Sequence, residues 1–239
     1  MTRVILTLSM ITAISVTSLQ AAPTTYTGTL SVTGAGADGS LLAGGAWNDS
    51  ATTLAWTVDN TTTPGQWHYS YTLSVPTGGI SHMIVEVSDE DPGPMFLLAN
   101  LFDPQSTPAG WIDDPIELDE FKAGQQGGNP SMPEDLYGVK FNAEDTFDET
   151  MVTVVFDSDR VPVWGDFYAK GGGDNILYNA GFTVPDTDPA NPPADGSIDS
   201  HLLVPDSATV LVPAPSGMLL AGIGTALVGW LRRRRSQVV

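Results

Sequence analysis

The sequence predicts an all-β fold: an antiparallel β-sandwich of jelly-roll or immunoglobulin-like topology, flanked by an N-terminal signal helix and a C-terminal transmembrane helix. Three observations carry the prediction. In Trp67-His68-Tyr69-Ser70-Tyr71-Thr72-Leu73-Ser74-Val75 the large apolar residues fall at every second position, as a strand with one buried face requires. Turn signals punctuate the middle of the chain at Pro76 to Gly79, Asp91 to Pro94, Gly127 to Pro130 and Gly171 to Asp174. Between residues 23 and 211 no segment keeps a 3.6-residue apolar period over three turns, so nothing there reads as an amphipathic helix.

Taken in order, the chain begins with Arg3 and an uncharged, largely apolar run from Val4 to Leu19, ending in Ala21 and Ala22 before Pro23. Charge, apolar core and small residues in that order make residues 1–22 a secretory signal peptide. The expected strands are Tyr26 to Val32, Thr53 to Val58, Trp67 to Val75, Ile80 to Val87, Met151 to Phe156 and Val161 to Tyr168. Gly34-Ala35-Gly36-Ala37-Asp38-Gly39 matches the G-x-G-x-x-G spacing. Ser40 to Gly45 offers no sustained helix to hold a pyrophosphate, so the stretch reads as a hairpin loop. Residues 185–200 are rich in Pro and Asp and read as a long surface loop or a membrane-proximal spacer. His201 to Pro205 is then a last edge strand, closed by its proline.

The end of the chain has three parts. Val212-Pro213-Ala214-Pro215-Ser216 resists regular structure, Gly217 to Leu231 is apolar without a charge, and Arg232, Arg233, Arg234 and Arg235 follow directly. As a helix, residues 217–231 would rise roughly 22 Å, short of the roughly 30 Å of a hydrocarbon core. The arginines stay on the cytoplasmic side of such a span, which orients the helix and places the body, residues 23–211, outside. This ending, residues 212–235, resembles the PEP-CTERM sorting signal of exosortase substrates in Gram-negative bacteria. Ala214 stands where that signal usually carries Glu, while the spacing to the helix and the basic cluster is kept. The resemblance covers about a tenth of the chain. It implies two partners, an exosortase and the membrane, and a route from an anchored position in the cell envelope to the cell surface or extracellular matrix.

Composition narrows what the body does. All twenty-eight acidic residues lie between positions 23 and 211, against Lys122, Lys140, Arg160 and Lys170, a net charge of −24. That charge repels nucleic acid and anionic lipid and leaves cations, basic surfaces or neutral polymers such as an exopolysaccharide. The absence of cysteine excludes disulfides, thiolate catalysis and Cys-ligated metals. No cofactor is expected except calcium, for which Asp89, Glu90, Asp91, Asp186 and Asp188 supply hard oxygen ligands on loops. His68, His82 and His201 lack the spacing of a zinc motif. His68 and His82 are expected as solvent-facing partners on adjacent strands.

Trp164, Phe167 and Tyr168 cannot share one face of a regular strand. Either the strand bulges near Gly165 as it feeds the Gly171-Gly172-Gly173 turn, or an aromatic points outward, and Trp164 and Tyr168 are then the candidates for stacking on a sugar ring. There is no nucleophile elbow, and paired acids are too numerous to single out a glycosidase pair. The reading favoured is a non-catalytic surface or matrix protein acting by adhesion, ahead of a carbohydrate-binding module and a secreted glycoside hydrolase.

Overall fold

Alternating sequences fold into alternating burial. The computed structural model describes residues 22–33, 40–89, 95–124, 128–184 and 192–205, all within one compact unit spanning residues 22–211. The strands are β1 (Thr25–Ser31), β2 (Leu41–Gly44), β3 (Thr53–Asp59), β4 (Trp67–Ser74), β5 (Ile80–Glu86), β6 (Leu101–Thr107), β7 (Glu117–Phe121), β8 (Leu136–Asn142), β9 (Met151–Ser158), β10 (Pro162–Gly165), β11 (Phe167–Gly171), β12 (Ile176–Asn179) and β13 (Leu202–Pro205). Every pairing is antiparallel. A five-stranded sheet runs β1-β3-β4-β9-β6, a six-stranded sheet runs β2-β12-β11-β5-β8-β7, and β10 and β13 form a separate ribbon.

The inward side chains of both sheets belong to one continuous core. Trp56, Tyr69, Tyr71 and Phe156 enter it from the first sheet and Val85, Phe141 and Phe167 from the second, with Phe141 and Phe156 stacked 5.7 Å apart. The body is therefore all-β and sandwich-like. The ribbon completes that core: all four residues of β10 and of β13 are buried, Trp164 meets Trp56 edge-on, and the Tyr71 hydroxyl donates to the Leu203 carbonyl at 2.8 Å. Among the described residues no helix is long and apolar enough to cross a membrane.

One expectation is corrected by this arrangement. The single strand expected from Val161 to Tyr168 is two strands in different sheets, because the chain breaks at Asp166 as it passes from the ribbon to the six-stranded sheet. Residues 192–200 form an irregular segment without strand or helix. Gly196 N–H donates to the Thr27 carbonyl at 2.8 Å and Asp195 accepts from Thr27 N–H at 2.9 Å, so this segment covers the open edge of β1, and β13 follows it into the core. The signal peptide, the sorting motif Val212 to Ser216, the apolar run and Arg232 to Arg235 lie outside the described residues.

Candidate functional site

Residues paired in register across antiparallel strands project from the same side of the sheet. The core takes Val58, Tyr69 and Phe156, so the residues between them form the outer face of the five-stranded sheet. Its first row is Thr25, Asp59, His68, Asp157 and Phe102. The second is Thr27, Thr57, Ser70, Val155 and Gln105, the third Thr29, Ala55, Thr72, Thr153 and Thr107, and the fourth Ser31, Thr53, Ser74 and Met151. The last three rows carry no charge, and β4 presents its half of them as the polar positions of a strict buried and half-buried alternation. Among the described residues one hydroxyl pair closes on itself there, Thr72 Oγ1 with Thr153 Oγ1 at 2.8 Å.

The first row is a polar cluster with internal order. His68 Nδ1 lies 2.7 Å from Asp157 Oδ1, and Thr63 donates to Asp157 Oδ2 at 2.7 Å, which holds the imidazole by one nitrogen and leaves its far edge toward solvent. Asp59 is occupied by its own turn. Burial pushes its carboxyl up, but hydrogen bonds from the backbone and hydroxyls of Thr61 and Thr62 outweigh that and leave its pKa lowered. Beside β6 at the sheet's edge, Gln105 and Ser106 continue into a cleft of about 450 Å³ lined also by Ile112, Asp113, Asp114 and Ile116.

A second titratable group is enclosed. Asp166 accepts from Asn179 Nδ2 at 2.5 Å, stands 3.5 Å from His201 Nε2, and its backbone N–H donates to Glu86 Oε2 at 2.6 Å. Burial raises its pKa, against the lowering from Asn179 and His201, with Glu134 adding to the rise. Asn179 and His201 have no solvent exposure, so this cluster staples the break between β10 and β11 to the approach of β13 rather than meeting a substrate.

The residues anticipated as sugar contacts are elsewhere. Trp164 is 1 % exposed in the core, and Tyr168 is fully buried. Of the two alternatives for this stretch, a bulged core strand or an outward aromatic, the aromatics are in the core: Tyr168 turns to the opposite face of β11 from Phe167, but Met132, Leu136 and Phe182 cover it and its hydroxyl donates to the Pro130 carbonyl at 2.8 Å. Among the described residues no aromatic side chain is exposed.

His68 and His82 are not cross-strand partners, because β4 and β5 belong to different sheets. His82 is instead buried against Tyr168, with its Nε2–H donated to Asn129 Oδ1 at 2.9 Å. Of the calcium candidates, Asp89 is exposed just beyond β5, while Glu90, Asp91, Asp186 and Asp188 lie outside the described residues. Among the described residues no three acidic or histidine side chains group closely enough to hold a metal ion. The hydroxyl face is not legible in the apolar half of each alternation, which tells only what the core takes. Its signal was the polar half, Thr25-x-Thr27-x-Thr29-x-Ser31 and Ser70-x-Thr72-x-Ser74. No family model, no curated protein and no solved structure matches this chain.

Proposed function

We propose that the protein is an exported, non-catalytic cell-surface or matrix protein whose β-sandwich body is presented by its C-terminal tail. The observation that carries this reading is the order of the tail: the Val212 to Ser216 motif, the uncharged run Gly217 to Leu231 and Arg232 to Arg235 follow directly on an acidic body that carries twenty-eight carboxylates against four basic side chains. Such an ending gives the body a route to the cell surface, where a non-catalytic role is contact with what the surface carries. Successive strands that cross repeatedly between the two sheets, β4 to β5, β5 to β6 and β6 to β7, favour jelly-roll over immunoglobulin-like topology.

An exosortase would act at residues 212–216 while Arg232 to Arg235 hold the apolar run in orientation. Intact-mass analysis of protein released from the surface of a host with its exosortase is the test. The expected species ends before Gly217. Recovery of nothing but chains ending at Val239 would rule out processing, and absence of the body from the cell surface would rule out the presentation itself.

A further inference from the structure

We propose that the outer face of the five-stranded sheet is a docking surface for an uncharged polysaccharide, with the cleft beside β6 as its deeper end. The inference rests on the surface-protein reading and names the class of matrix component the body touches. Its first support is chemical. Thr57 and Ser70, in register on β3 and β4, and Ser74, further along the same face of β4, are half-buried, with no side-chain hydrogen bond to another described residue. Covering such hydroxyls with an apolar partner would strip their water without replacement, at a cost of roughly 1 to 3 kcal/mol each. The occupant must therefore offer donors and acceptors of its own.

Charge removes most of the partners that could do so. The body carries −24, and none of its cations stands on this face. Lys140 lies on β8, Lys170 on β11 and Lys122 just after β7, all on the six-stranded sheet, while Arg160 is buried under Phe96 and the Met95 carbonyl. A polyanion would meet an acidic body without one lysine to hold it, and a second copy of the chain would bring another −24. A basic surface would find no carboxylate in the last three rows to pair with, and a neutral, hydroxyl-rich polymer meets none of these objections. Five strands spaced about 4.8 Å apart give it a surface roughly 20 Å across. Gln105 belongs both to the second row of the face and to the wall of the 450 Å³ cleft, so the flat surface and the concave one share this residue. Binding here works mainly by hydrogen bonds over a broad flat area, because Trp164 and Tyr168 are inside the protein and Phe102, at the edge of the face, is half-buried.

The experiment uses the full chain in a zwitterionic detergent free of sugar head groups. It is incubated with microcrystalline cellulose, an insoluble β-1,3-glucan, starch granules and alginate beads, and the bound fraction is measured. Retention on at least one neutral polymer and none on alginate is expected. Ser70→Lys, which places a charge in the middle of the face, is expected to weaken retention by about tenfold or more, because the ammonium must be desolvated for the polymer to dock. Thr183→Lys, an equal charge on the exposed turn beside the six-stranded sheet, should leave it unchanged. The double variant Thr72→Val with Thr153→Val, which keeps shape and removes two hydroxyls, should also weaken retention while the melting midpoint stays in place.

Failure of the wild type to bind any neutral polymer overturns the proposal. So does equal loss from Ser70→Lys and Thr183→Lys, retention on alginate, or a dimer in sedimentation that Ser70→Lys dissociates. A surface-displayed protein that binds no polymer sinks this inference alone, whereas a polymer-binding protein that never reaches the surface sinks the presentation reading alone.

Discussion

The two sheets turn different outer faces to the world. On the six-stranded sheet the outer residues Ile84 and Tyr168 are sealed beneath Met132, Leu136 and Phe182, with Phe121, Ile176 and Tyr178 packed around them. The outward positions of the five-stranded sheet are mostly threonine and serine, with Ala55, Gln105, Val155 and Met151 among them, and the His68 and Asp157 pair stands in the first row. Both faces are built from antiparallel strands over one shared core, so the difference lies in the covering segment. The chain from Asn129 to Leu136 and the turn at Phe182 bring apolar side chains to one face only. The outer face of the six-stranded sheet is thus built into a second apolar cluster, and that of the five-stranded sheet is not. The sealed face shows as well in its histidine: burial, reinforced by the charges of Lys140 and Lys170 and only partly offset by Asn129, holds His82 down to a pKa of about 3.

The sharpest way to break the comparison is to empty the sealed face. Tyr168→Ala removes a buried ring and its hydrogen bond to Pro130 and should cost about 3 to 5 kcal/mol in chemical denaturation, the usual range for a large aromatic truncated in a core. A loss below about 1 kcal/mol would mean that the cover contributes no core of its own.

Acid should act next, and through the same face. The pKa of His82 lies near 3 when folded and near 6.5 when unfolded, so between those values the unfolded chain binds more protons. Stability from this group is complete above about pH 6.5 and is lost as pH falls toward 3. Unfolding free energy measured across that window should fall in the wild type and fall less steeply in His82→Gln. Asp166, whose pKa is raised, contributes with the opposite sign, its stabilisation being lost as pH rises through its folded value. Identical slopes in wild type and His82→Gln would show that the cover opens readily enough to hydrate the ring.

The smallest effect belongs to the open face. Thr72→Val alone should change stability by no more than about 0.5 kcal/mol, because the site is half-exposed, valine suits a strand and the Thr153 hydroxyl can turn to water. A loss of about 2 kcal/mol or more in the same denaturation would place this face among the structural elements and erase the contrast between the two sheets.

How much of this was legible depended on how many faces of a strand are buried. β4 buries one face, so Trp67 to Ser74 alternates cleanly and was placed to within a residue, and β1, β3 and β9 followed by the same pattern. β6 contains Pro104 and a register shift, and β7 is the acidic edge Glu-Leu-Asp-Glu-Phe. Neither presents enough apolar residues to announce a strand, and both went unread along with β2, β8 and β12. β11 buries both faces, so the adjacent Phe167 and Tyr168 point to opposite sides and both are covered, one by the main core and the other by a second layer that the local sequence does not show.

Local sequence alone determined the all-β class, the alternation of the main strands, the acidic charge of the body and the order of motif, apolar run and arginines at the tail. These are properties of short windows or of simple sums, and no distant contact is needed to read them. Tertiary structure decided that Trp164 and Tyr168 face inward, that residues 192–200 close the edge of β1, that β13 belongs to the core, and that the hydroxyls of five strands line up in register. Each of these depends on which segment lies opposite, often more than a hundred residues away, and a period-two pattern tells which residues share a face without telling what covers it.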